Sequence, residues 1–218
     1  MEWHASRREM ITGTALEDVM GGPMAKLQLI AELIAETGTE QTKQFRSTPE
    51  MERGNAEEPF AVRAFEERYN KKVEKVGFCI SDEFSYLGYS PDGLIKDKKG
   101  KYSEGIEMKN PNSSTLILYK IFNLVPDLPT KAKKPFLGVP EDYKWQVVDA
   151  FLVNEDLEKL YFIVFDARFI SEEDKLYVVE VERSAPEMQE ALKEAREALG
   201  AFRAEWLRCK ELVLADNF

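Results

Sequence analysis

A chain of 218 residues is long enough to bury a sizeable core, and 44% hydrophobic with 32% charged residues is a globular composition rather than a disordered one. Its 40 acidic against 30 basic side chains give a formal net charge of −10, which excludes a protein that coats nucleic acid by overall positive charge. No apolar run approaches the roughly 18 residues of a membrane helix, the start MEWHASRREM lacks an apolar secretory segment, and Cys79 and Cys209 are too few for a disulfide framework or a structural zinc site.

The only histidine is His4, so sites built on several imidazoles, HExxH hydrolases among them, are excluded. Any metal must be held mainly by oxygen, which points to Mg²⁺ or Mn²⁺. A reducing, cytoplasmic compartment is the expectation, with no membrane partner.

The N-terminal third reads as helical. A short helix over 14–20 is stopped by Gly21-Gly22-Pro23, and a second over 24–36 carries Leu27, Ile30 and Ile34 at helical spacing. Residues 37–48 are polar and read as an exposed loop. A longer helix over 49–70 places Val62, Phe65 and Tyr69 on one face. Glu58 lies on that same face, whereas Glu57, Glu66 and Glu67 reach water.

The pattern then changes to strands. Residues 73–81 alternate, 86–89 lead into the turn Ser90-Pro91-Asp92-Gly93, and 94–96 resume an extended run. Asp97-Lys98-Lys99-Gly100 connects to a strand over 102–109. Its period of two puts Tyr102, Glu104, Ile106 and Met108 on one face and Glu107 and Lys109 on the other. A helix over 113–122, a Pro- and Lys-rich loop over 125–140, a helix over 141–154 and strands over 160–166 and 176–183 follow.

The last helix opens on Ser184 and Glu187, three apart, a capping-box pattern. Its stripe of Met188, Leu192, Ala195, Leu199, Phe202, Trp206, Cys209 and Val213 packs on the protein's own sheet or, in part, on a neighbouring subunit. This order argues α/β around one mixed sheet flanked by helices. No repeat or flexible linker divides the chain, so a single domain over 1–218 is expected: a helical part over 1–70, a core over 71–183 and a terminal helix over 184–218.

The chemistry-bearing residues gather in the middle. Pro91-Asp92 in a turn, followed by Glu107-Met108-Lys109 on a strand, is the PD-(D/E)xK arrangement. Two carboxylates converging from adjacent strands suit a hard cation, and a lysine beside them can orient water or offset charge on a phosphorane. Glu58 is a further carboxylate on an otherwise apolar helix face, costly to bury unpaired.

Five ordered blocks go further. Trp3-His4-Ala5-Ser6-Arg7 with Ile11-Thr12-Gly13-Thr14 is the first, and Arg53-Gly54-Asn55-Ala56-Glu57-Glu58 with Ala61 and Phe65 the second. Ser90-Pro91-Asp92-Gly93-Leu94, Glu107-Met108-Lys109-Asn110-Pro111 and Tyr143-Lys144-Trp145-Gln146-Val147 complete them. In order and spacing, from Trp3 to about Arg183, the chain resembles the lambda-exonuclease-like, YqaJ-type viral recombinase nucleases of the PD-(D/E)xK superfamily.

The resemblance implies a restriction-endonuclease-like fold and a 5′→3′ exonuclease on linear double-stranded DNA. It implies two Mg²⁺ ions per site, with Mn²⁺ able to substitute. Asp92, Glu107 and the Met108 main-chain carbonyl would hold metal, Glu58 would help hold the second ion, Lys109 would be catalytic and Gln146 would lie beside the scissile phosphate. Arg7, Thr14 and Ser90 would form a pocket for the 5′-phosphate, chemistry that a guanidinium and hydroxyls suit. Met51 is a candidate wedge between bases, with helix packing the plainer reading.

A ring-shaped homotrimer is implied as well. Arg46, Lys131, Lys133 and Lys134 are candidates to line its channel while the outside stays acidic, or else simply belong to solvated loops. A single-strand annealing protein would take the 3′-ended product in a phage- or prophage-infected bacterial cytoplasm. Two rival readings are an endonuclease of the same superfamily and a catalytically inactive relative that binds DNA or a partner.

Overall fold

The computed structural model of the protein describes residues 7–39, 48–125 and 134–214, and the side chains of all of these but 49–51. The proposed wedge Met51 and the channel candidates Arg46, Lys131 and Lys133 therefore lie outside the described side chains, as do Trp3 to Ser6 of the first block. Lys134 is described and exposed.

Three helices lead: α1 (Gly13–Met20), α2 (Pro23–Thr39) and α3 (Pro49–Tyr69). The short strands β1 (Cys79–Ile80) and β2 (Gly88–Tyr89) pair antiparallel. Then come β3 (Gly93–Lys96), β4 (Tyr102–Lys109), α4 (Ser113–Leu124), a 3₁₀ turn (Glu141–Tyr143), α5 (Lys144–Val153), β5 (Lys159–Phe165), α6 (Glu172–Lys175), β6 (Leu176–Glu182) and α7 (Pro186–Val213). The main sheet has the order β3-β4-β5-β6, with only β4 and β5 parallel. A parallel pair cannot be joined by a hairpin, and the connection here is the long helical passage through α4 and α5.

β5 is buried along almost its whole length because both faces of the sheet are covered. Leu160, Phe162 and Val164 face a core built with α1, α2, α5 and α7. Tyr161, Ile163 and Phe165 face a second core that includes Ala61 and Phe65 of α3 and Ile106 and Met108 of β4. The alternation read from the sequence thus puts Glu107 and Lys109 on the α5 side. Tyr102 departs from it: the register shifts between Ile95 and Lys96, and its ring packs with the opposite core.

Several expectations need correcting. Residues 73–81 are not one strand: Glu74 makes an isolated bridge with Leu94, and only Cys79–Ile80 pairs further on. The exposed loop does not begin at residue 37, because α2 runs on to Thr39. The Thr37 and Thr39 hydroxyls donate back to the Leu33 and Ala35 carbonyls at 3.2 and 2.7 Å. In α2, Leu27 is exposed and the buried stripe is Leu29, Ile30, Leu33 and Ile34. Glu66 does not simply reach water; it accepts the Val73 N–H at 2.8 Å.

The capping box at α7 is absent. Pro186 takes the first helical position, so Ala185 is the N-cap and Ser184 stands one residue too early. The α7 stripe is buried on the protein's own core through Trp206, while Cys209 is half-buried and Val213 exposed.

Phe65 anchors α3 to the sheet, stacking on Tyr69 at 4.8 Å and meeting Tyr161 edge-on at 5.0 Å. Phe65→Ala should cost about 3–5 kcal/mol of stability in chemical denaturation. Ile170→Ala, at a fully exposed side chain, should stay within about 0.5 kcal/mol.

Candidate active site

The site forms where β3 and β4 part. Their antiparallel register ends at the pair Gly93↔Ile106, so the Met108 N–H has no partner on β3. The Asp92 carboxylate takes that place, accepting the N–H at 2.6 Å. Gly93 permits the approach: a Cβ there would stand 2.2 Å from Val73 Cγ1.

Across the turn, the Lys109 ammonium donates to Glu107 at 2.7 Å and to the Gln146 side-chain oxygen at 2.9 Å. It also lies 5.0 Å from the centre of the Tyr143 ring. The Tyr89 hydroxyl donates to the other Glu107 oxygen at 3.1 Å. Three segments distant in sequence therefore converge: the turn before β3, the end of β4 and the first turn of α5. Gln146 arrives because α5 packs close on α1, where a Cβ at Gly13 would touch Gln146 Cα at 3.2 Å.

The electrostatics follow from burial and like charge. Burial first, and then the charge of Glu107, push the Asp92 carboxyl up to about 7, although the Met108 N–H and Lys109 pull the other way. Burial opposes the charge on Lys109, but Glu107 and Asp92 outweigh it and hold its pKa above the ordinary lysine value. Asp149, one turn beyond Gln146, is fully buried with neither carboxyl oxygen hydrogen-bonded. Burial, followed by the charge of Glu107, raises its pKa well above the carboxylate range.

The other sequence candidates divide. Glu58 is close enough for its charge to act on Asp92, but its carboxylate is paired with Lys75. Among the described residues no group of three or more His, Cys, Asp or Glu side chains is gathered tightly enough for a ready-made metal cluster. What Met108 engages with its main chain is the Asp92 carboxylate, through its N–H.

Arg7 and Thr14 line a common cavity of about 330 Å³ with Thr12, but so do Asp18, Glu32 and Glu36. The Arg7 guanidinium also lies over the Phe78 ring at 5.5 Å, and burial lowers its pKa. Ser90 is not part of that cavity's lining; its hydroxyl is buried and has no hydrogen-bond partner.

Reasoning from sequence missed Tyr89, Tyr143, Asp149 and Arg53. Tyr143 lay within a quoted block, three residues from Gln146, and Asp149 is a lone acid in the apolar run 147–153, a signal available to inspection. Nothing local marked Tyr89.

Comparison with known proteins finds similar structures over nearly the whole chain. An alkaline exonuclease (LHK-Exo) from Laribacter hongkongensis matches with a TM-score of 0.78 at 24% identity, over 97% of this chain and 95% of that one. The structure of LHK-Exo in complex with dAMP matches at 0.73 and 25% identity, over 96% and 95%. A phage-related exonuclease from Haemophilus somnus 129PT shares the fold at 0.58 and 13% identity, over 91% and 95%.

Comparison with curated proteins gives no match. Among the described residues no helix is long and apolar enough to cross a membrane. The sequence profile of the YqaJ-like viral recombinase domain matches residues 2–155, and the chain belongs to the YqaJ-like viral recombinase family, whose nucleases act on DNA.

Proposed function

We propose that the protein is a Mg²⁺-dependent 5′→3′ exonuclease that digests one strand of linear double-stranded DNA from a 5′-phosphorylated end. The product would be mononucleotides and a 3′-ended single strand. The observation that carries the reading is the convergence of Asp92, Glu107, Lys109 and Gln146 at one end of the sheet.

The donor set fits a divalent cation. Burial, and after it the charge of Glu107, raises the Asp92 carboxyl to about 7, a condition that a bound cation relieves. Asp92 and Glu107 would hold it with the Met108 carbonyl, and Glu58 would join a second ion by leaving Lys75. Mg²⁺ held there supplies a lowered pKa to water and neutralises phosphoryl charge. Lys109 keeps its proton beside Glu107 and Gln146, and orients the attacking water or steadies charge on the phosphate oxygens. Gln146 also fixes the ammonium, and Tyr89 fixes the second oxygen of Glu107.

Arg7 and Thr14, with Ser90, would receive the 5′-phosphate. The carboxylates beside Arg7 would then confine the anion to the guanidinium end of the cavity. The family resemblance also supports a ring-shaped homotrimer, a single-strand annealing partner and a phage or prophage setting in a bacterial cytoplasm. Exposed Leu212 and Val213 at the end of α7, with Met24 and Leu27 of α2, are apolar groups available to such contacts.

Linear 5′-phosphorylated duplex should be consumed with Mg²⁺ and left intact with a chelator, while covalently closed duplex persists. Cutting of the closed form would replace this reading with an endonuclease. Lys109→Ala should lower the rate by roughly 10²–10⁴ while circular dichroism and duplex binding hold.

Arg7→Ala should reduce the preference for 5′-phosphorylated over 5′-hydroxyl ends, read from initial rates on the two duplexes. An unchanged ratio would place the phosphate elsewhere.

The Asp92 carboxyl also sets a pH dependence in metal-free protein. Its folded value of about 7 lies above the unfolded 3.8, so between these values the folded chain binds the extra proton. Stability from this group is full in acid and is lost as pH rises toward 7. Denaturation in chelator should show wild type losing ground to Asp92→Asn between about pH 4 and about pH 7; parallel curves would mean that Asp92 titrates normally.

A further inference from the structure

Past Lys109 the chain turns through Asn110, Pro111 and Asn112 into α4. The β4–β5 ladder ends at Lys109↔Val164, so the carbonyls of Asn110 and Pro111 have no strand to bond. Two guanidinium groups take the strand's place. Arg53 Nη2, from α3, donates to the Asn110 carbonyl at 2.8 Å and the Pro111 carbonyl at 3.2 Å. Arg168 Nη2, from the loop after β5, donates to the same Pro111 carbonyl at 3.2 Å.

Arg168 is itself fixed. Its Nε and Nη2 donate to the two oxygens of Asp166 at 2.7 and 2.9 Å, and the Ser113 hydroxyl donates to the same carboxylate at 2.6 Å. Asp166 is fully buried. Burial works to raise its pKa, but the Arg168 and Ser113 bonds prevail and hold it down at about 2. The anchor therefore stays ionised at neutral pH. The Asn110 side-chain amide adds a bond to Glu57 at 3.3 Å, a second tie from α3.

We infer that Arg53 and Arg168 are positioning residues for Lys109, acting through the main-chain carbonyls of Asn110 and Pro111. Lys109 is the last residue of its strand, where a ladder frays most readily. Its ammonium must meet Glu107 and Gln146 together. Clamping the two residues beyond it from α3 and from the β5 loop removes the freedom that would carry the amine away from them. Misplacement by about 1 Å is enough to cost roughly 10²-fold in rate. What Lys109 does once placed rests on the nuclease reading above; the clamp itself does not.

The test compares wild type, Arg53→Ala, Arg53→Lys and Arg168→Ala in the full chain, with steady-state digestion of linear duplex and duplex binding in chelator. Arg53→Ala should lower kcat by about tenfold to a hundredfold, with KM for DNA ends and Kd for duplex within about twofold. Arg53→Lys keeps one donor and should recover part of kcat, and Arg168→Ala should follow Arg53→Ala in direction.

A raised KM or Kd with kcat unchanged would make Arg53 a DNA contact and overturn the inference, as would four equal rates. Amide exchange gives a reading free of catalysis: the N–H groups of Asn110, Asn112 and Ser113 should exchange faster in Arg53→Ala, with β5 unaffected. If wild type leaves DNA whole, the nuclease reading fails while exchange still decides the clamp, and unchanged exchange at all three amides rejects it.

Discussion

Two carboxyls forced together beside one ammonium are the constraint around which this protein is built. Asp92 and Glu107 come from different segments, and burial first, then the charge of Glu107, raises the cost of charge on Asp92. In water their repulsion would be screened; at a half-buried strand end it is not. Lys109 offsets part of it by bonding Glu107. What remains is enough to keep a proton on Asp92 near neutrality, an environment already arranged for more positive charge than the chain supplies.

The sheet topology makes that arrangement affordable. Glu107 and Lys109 occupy the face of β4 opposite Ile106 and Met108, so the hydrophobic residues of the same strand lock it onto the α3 side. The parallel pairing of β4 with β5 demands a crossover, and that crossover carries α5 back over the polar face, bringing Gln146 to Lys109. One strand therefore serves stability on one face and chemistry on the other. α3 contributes twice from the apolar side: Phe65 holds it to the sheet, and one turn or more earlier Glu58 and Arg53 reach around to the strand ends.

How far the sequence could be read depends on whether a feature is local. The strand over 102–109 coincides with β4 because alternation is a local signal, and the site pair Glu107 and Lys109 follows from it directly. Asp92 was legible from its turn. The missing strand over 73–81 shows the limit: its alternation is real, but Glu74 finds only Leu94 to bridge and no continuous partner strand runs alongside. Tyr89 could not be found for a similar reason, since its hydroxyl meets Glu107 only after two sheets are laid side by side. The capping box failed on a single proline, which moved the helix start by one residue. Glu58 was suspected as a carboxylate costly to bury; the structure leaves it partly exposed and pairs it with Lys75, seventeen residues on, a partner that sequence alone did not suggest.

Among the described residues, the Ser90 hydroxyl, Arg53 Nη1 and both oxygens of Asp149 are buried without a hydrogen bond. Each belongs to a segment that reaches the same strand ends: the turn that carries Asp92, the helix that carries Glu58, and the helix that carries Gln146. An unpartnered buried polar group costs about 1–3 kcal/mol, and the same condition is met outside these segments at Arg8 Nε and at Trp206 Nε1 in α7. Asp149 limits its own cost by staying protonated, which burial and the charge of Glu107 both favour. Several of these costs fall on the segments that carry Asp92, Glu58 and Gln146, and local instability of that kind is tolerated at functional sites. Joined to the convergence of Asp92, Glu107, Lys109 and Gln146, they make the strand ends, rather than the apolar groove of about 500 Å³ between α2 and α7, the candidate site of this chain.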